Sequence, residues 1–155
     1  MEKLIVSTLV DNGLYDKRLT PEYGFSLFIE YENINILFDT GYSNLFLQNA
    51  KKMAIDLNLA NTVVITHRHK SHSGGLPHLL RVLKSNTNFI IEPEYFNKFS
   101  KNLNGRIAPG YIDYIKDIKK YLLNHKVTLL KQKEFVYLKN IYFLLRLTLR
   151  KVNIL

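Results

Sequence analysis

Thr62-Val63-Val64-Ile65-Thr66-His67-Arg68-His69-Lys70-Ser71-His72-Ser73-Gly74-Gly75-Leu76 changes character twice within fifteen residues. Residues 62–66 are all β-branched and bounded by polar positions, which predicts a buried strand. Three of the chain's five histidines follow within six residues. Ser73 can then cap a helix, with Gly74, Gly75 and Pro77 in its opening turn and Leu76, Leu79, Leu80 and Leu83 as its apolar stripe. The local order is strand, polar loop, helix. In an extended segment, residues two apart point the same way, so His67 and His69 can converge on one ion while His72 turns toward a neighbouring position. Neutral imidazole suits zinc, iron and other late first-row metals. On residue types alone, the alternative is a polar loop that happens to be rich in histidine. His78, inside the helix, reads as a surface or packed residue, and His125 as an exposed loop residue.

Upstream, apolar runs alternate with turn residues as strands do: Leu4 to Val10, Phe25 to Tyr31 and Ile34 to Phe38. The polar pair Glu32-Asn33 between the last two reads as a hairpin turn. Asp39-Thr40-Gly41 breaks the third strand, and Phe46, Ala50 and Met53 predict a helix over Ser43 to Met53. Downstream, the pattern predicts strands over Asn88 to Glu92, Val127 to Leu130 and Phe135 to Leu138. A helix is expected over Ile112 to Leu123, with Ile115, Ile118 and Leu122 on one face.

With 155 residues, 46% hydrophobic and 23% charged, the chain belongs to the ordinary globular class, as one domain. No stretch approaches the roughly 20 apolar residues that cross a bilayer, and the N-terminus reaches Asp11 too soon for a secretory signal, so a cytoplasmic protein without membrane contact is expected. There is no cysteine, so a transition metal must be held by imidazole and carboxylate. The net charge of +9 is uneven: residues 1–97 carry nine Lys/Arg against ten Asp/Glu, and residues 98–155 carry thirteen against three. A basic segment of this kind can bind nucleic acid or a partner protein, although scattered lysines also solvate helix and strand faces.

Ile36-Leu37-Phe38-Asp39-Thr40-Gly41 followed by the histidine run and Gly74-Gly75-Leu76 resembles the metallo-β-lactamase superfamily, whose signature is His-x-His-x-Asp-His between a hydrophobic strand and a Gly-Gly-Leu helix start. With Val10-Asp11-Asn12 and Tyr23-Gly24-Phe25-Ser26-Leu27, it is most similar to the branch that includes dihydropterin aminobenzene-phosphate synthase-like proteins. The resemblance implies an α/β fold in α+β layers, the N-terminal half of an αββα sandwich over residues 1–143, followed by an apolar, basic tail at 144–155. It implies a hydrolase that uses metal-activated water on a phosphate or ester-like small molecule, with zinc, or iron or manganese, as cofactor. By position, His67 and His69 would ligate a first metal and His72 a second. Asp39 would support them from behind, and Asp11 and Asn12 would line the pocket. Ser71 occupies the position of the family's ligating aspartate, and a neutral hydroxyl is a poorer ligand for a divalent cation than a carboxylate. The resemblance also leads one to expect later ligands that this sequence lacks, so a truncated chain with impaired activity is expected. One apolar sheet face left uncovered would then favour self-association.

Overall fold

The computed structural model describes residues 3–13, 16–83, 87–91, 122, 126–129, 136–138 and 141–143, with side chains as far as Leu122. Its strands are β1 (Leu4–Val10), β2 (Ser26–Tyr31), β3 (Ile34–Phe38), β4 (Thr62–Ile65), β5 (Asn88–Ile91), β6 (Lys126–Leu129), β7 (Val136–Leu138) and β8 (Ile141–Phe143). Its helices are α1 (Leu45–Lys52), α2 (Lys70–Ser73) and α3 (Leu76–Leu79), with a 3₁₀ turn at Leu57–Leu59.

The first six strands form one sheet in chain order, β1 to β6, while β7 and β8 make a separate antiparallel pair. The expected hairpin is present: Tyr31 faces Ile34 across the Glu32-Asn33 turn, where Glu32 takes φ 51°. From β3 to β6 the strands run parallel. A parallel sheet requires crossovers and is covered on both faces, and β4 accordingly is buried at all four positions.

The two sheet faces carry two apolar clusters. On one, Phe28, Leu37, Val63, Ile65, Phe89 and Ile91 pack with Phe46 and Ala50 of α1 and Leu76 and Leu79 of α3. On the other lie Ile29, Ile34, Ile36, Val64 and Ile90. Among the described residues, the centre of this second face is buried and its β1 edge is exposed, with Leu4 and Val6 56% and 53% exposed.

Three boundaries differ from the sequence expectation. Helix α1 begins at Leu45, where Glu22 takes up the Ser43 N–H just before it and the Ser43 hydroxyl accepts the Leu45 N–H at its first position. Ser73 does not cap a helix; its hydroxyl donates to the carbonyl of His69. The helical turn starts earlier, inside the histidine run, and a second turn begins after Gly75. Strands β5, β6 and β7 fall where expected to within a residue, whereas the helix expected over 112–123 lies outside the described residues apart from Leu122. Among the described residues no helix is long and apolar enough to cross a membrane.

Candidate metal centre

The site is built where β3 and β4 end side by side. In open parallel sheets, the carboxyl ends of the strands are where loops gather and ligands bind. Asp39 follows β3 and donates its N–H to the Val64 carbonyl (2.8 Å), extending the ladder by one bond before the chain turns at φ 56°. Left-handed backbone is uncommon outside glycine, and aspartate is one of the residues that tolerates it. The turn drives the carboxylate into the interior, where it is fully buried.

There the carboxylate meets the loop that leaves β4. Asp39 Oδ1 accepts the Thr66 N–H at 2.8 Å, and Oδ2 accepts the Thr66 hydroxyl at 2.7 Å. Oδ2 also lies 2.7 Å from His72 Nδ1. Burial pushes the Asp39 carboxyl above the usual carboxylate range, against the opposing pull of its hydrogen bonds from His72 and Thr66.

The histidine segment is extended only as far as His69. The bonds from Ser73 N to His69 O and from Gly74 N to Lys70 O then close a helical turn. That turn swings His72 back across His67, with ring centroids 4.2 Å apart, while His67 and His69 stand edge to face at 4.7 Å. The three rings therefore gather in one cluster. Burial, reinforced by His72 and His69, drives the His67 pKa down to about 3. His69 is lowered in the same direction by burial, then by His72 and Arg68. Both shifts favour the neutral ring.

The loops are laced together by main-chain bonds. Thr40 N donates to His72 O (2.7 Å), Phe25 N to Ser71 O (3.0 Å) and Gly41 N to Phe25 O (3.0 Å). The buried Ser26 hydroxyl donates to Asp39 O (2.9 Å). Asp11 accepts the Asn12 N–H, and Asn12 Oδ1 accepts the Gly24 N–H (3.0 Å). These two residues thus shape the loop in front of Ser71, where a Cβ on Gly24 would come within 2.5 Å of Ser71 O. Ser71 itself sits in the α2 turn, half-buried. His78 lies half-buried on α3, away from the cluster in sequence, and His125 lies outside the described residues.

Sequence reasoning passes over Glu22. One of its oxygens accepts the N–H groups of Tyr42 (3.0 Å) and Ser43 (3.1 Å), and the other accepts the Ser43 hydroxyl (2.6 Å). It clasps the loop that carries Asp39, yet a lone glutamate in an irregular segment has no periodic or motif signal. Glu22→Ala should lower folding stability by about 2 kcal/mol, since three bonds to a charged acceptor disappear. Ser43→Ala should cost clearly less. Urea titration of both variants checks the order, and equal losses would show that the backbone bonds contribute nothing.

Residues 19–124 match the family model of the metallo-beta-lactamase superfamily. The chain belongs to this superfamily. It is 30% identical over 120 residues to an uncharacterised protein of Methanocaldococcus jannaschii, covering 77% of this chain and 44% of that one. Among solved structures it is similar to Tm1679, described as a metal-dependent hydrolase of the beta-lactamase superfamily, with a TM-score of 0.60 and 25% identity over 87% of this chain and 44% of that one. It also shares its fold with a putative metallo-beta-lactamase from Thermotoga maritima, at a TM-score of 0.55 and 20% identity, covering 86% of this chain and 62% of that one. This chain thus spans less than half the length of the relative and of Tm1679. The α/β sheet with its two clusters is the N-terminal portion of that fold.

As donors, three clustered imidazoles with at least two held neutral fit a late first-row cation. Among the described residues, no three His, Asp or Glu side chains already stand at ligand spacing around one point.

Proposed function

We propose that this chain carries the histidine half of the centre of a metal-dependent hydrolase acting on a phosphate or ester-like small molecule. The observation that carries this reading is the cluster of His67, His69 and His72 at the ends of β3 and β4, with His72 held by the buried Asp39 carboxylate. His67, His69 and His72 would hold the ion. Such an ion supplies Lewis acidity toward a phosphoryl or acyl oxygen and makes a neighbouring water more acidic. The chain's own contribution is to keep two imidazoles unprotonated by burial and to fix the third through Asp39. Zinc fits an all-imidazole set best, with iron and manganese as alternatives. Ser71 supplies no carboxylate, so a second ion binds weakly and turnover by this chain is low.

The test is metal content and hydrolysis on the same purified protein. About one zinc per chain is expected after equilibrium dialysis at micromolar metal, lost in His67→Ala and in His72→Ala. Ser71→Asp should raise both the uptake of a second ion and the hydrolysis of a generic phosphodiester. No metal uptake by the folded wild-type chain would overturn the reading. A second reading, a non-catalytic basic module for nucleic acid or a protein partner, draws on the thirteen Lys/Arg against three Asp/Glu in residues 98–155. It predicts binding that weakens steeply with salt and is indifferent to His67→Ala.

A further inference from the structure

Asp39 touches His72 directly, but its influence reaches a second histidine. Thr66 Oγ1 lies 2.7 Å from Asp39 Oδ2 and 3.0 Å from His67 Nδ1. A hydroxyl has one hydrogen to give and lone pairs with which to accept. The Thr66 N–H, the Thr66 hydroxyl and His72 Nδ1 all converge on the Asp39 oxygens, so the carboxylate acts as acceptor and the hydroxyl hydrogen goes to Oδ2. Thr66 then meets His67 with a lone pair, and that contact is a hydrogen bond only if His67 Nδ1 carries the hydrogen. His72 Nδ1, also facing Oδ2, is a donor for the same reason. In both rings the lone pair is left on Nε2.

We infer that Thr66 is a positioning residue that relays the tautomer choice from Asp39 to His67, so that one buried carboxylate sets two of the three clustered imidazoles alike. Thr66 is placed for this on both sides. Its backbone N–H is bound to Oδ1 while its hydroxyl is bound to Oδ2, so the residue is anchored to the same carboxylate at two points and is 6% exposed. Which nitrogen of a neutral imidazole is free to ligate depends on the hydrogen bond made by the other. The meaning of the relay for a bound ion rests on the proposed metal reading; the tautomers do not.

The experiment is a long-range 1H–15N correlation of histidine rings in the metal-free chain at neutral pH, assigned with single His→Gln variants. His67 and His72 should both show protonated Nδ1 and bare Nε2. Thr66→Val should move His67 toward the opposite tautomer or a mixture while His72 keeps its pattern, and Thr66→Ser should restore His67. Bare Nδ1 on His67 in the wild-type chain, or an unchanged His67 in folded Thr66→Val, overturns the relay. Reversal at His72 in the wild type also overturns it, since it places a proton on Asp39. If Thr66→Val does not fold, the wild-type and Thr66→Ser spectra still decide. Zinc uptake measured on the same samples separates the two ideas: expected tautomers without uptake keep the relay and sink the metal reading, and the converse result sinks the relay alone.

Discussion

Asp39→Ala is expected to cost about 3–5 kcal/mol of folding stability, the range for removing one partner from a buried charged network. Three donors lose their acceptor at once: the Thr66 N–H, the Thr66 hydroxyl and His72 Nδ1. All three face a position with no access to solvent, so water cannot replace the carboxylate. Alanine must also adopt φ 56°, which a side chain without a polar tip does poorly. Asp39→Asn separates the two contributions, because asparagine accepts the left-handed backbone and can still receive the Thr66 N–H. Its NH2 group, however, confronts a hydrogen on Thr66 or His72. The order of urea midpoints should be wild type, Asn, then Ala, at constant m-value. A loss below about 1 kcal/mol in Asp39→Ala would mean that the network does not support the fold.

A comparable loss is expected from Gly74→Ala, for a different reason. Gly74 has φ −62°, so its backbone conformation suits any residue. What it lacks is room. A Cβ there would overlap the carbonyl of Tyr42 and approach Lys70 O at 2.5 Å. At Gly75, the carbonyls of Thr40 and Ser43 and the ring of Phe46 stand equally close. These are mostly backbone atoms of the loop after β3, and a main chain pinned by Glu22 and by the Thr40–His72 bond cannot step aside. Overpacking at such a contact costs about 4 kcal/mol or more, at the far end of what single substitutions do. Gly74→Ala should therefore give little soluble protein, and any that is recovered should show a strongly lowered Tm. A soluble variant with wild-type Tm would show that the loop yields.

The strands were legible because each carries a period or a run that only a sheet can bury. Leu27, Ile29 and Phe28 alternate between the two clusters, and Val63, Val64 and Ile65 fill both. The family signature was legible for a similar reason: His67, His69, His72 and the two glycines lie close together in sequence. What stayed hidden depends on contacts between distant segments. Asp39 was placed behind the histidines only through the family resemblance; its own stretch does not name its partners, since Thr66 and His72 arrive 27 and 33 residues later. The helical turn from Lys70 to Ser73 could not be read either. Lys-Ser-His-Ser has no apolar spacing, and the turn is imposed by bonds back to His69 and by docking on Thr40 and Phe25. Glu22 is the clearest omission, because an exposed-looking glutamate beside Pro21 and Tyr23 has a role only once residues 42 and 43 are folded against it.

The sheet order also bears on how the molecule assembles. Every strand from β2 to β6 pairs with the one before it in the chain. No strand must be slotted between two that are already joined, so the sheet can grow by addition at a single edge, starting from the short-range β2–β3 hairpin. During synthesis, the Asp39 carboxylate emerges with that hairpin, before the segment that answers it. The donors that answer it, on Thr66 and His72, lie 27 and 33 residues further along the chain.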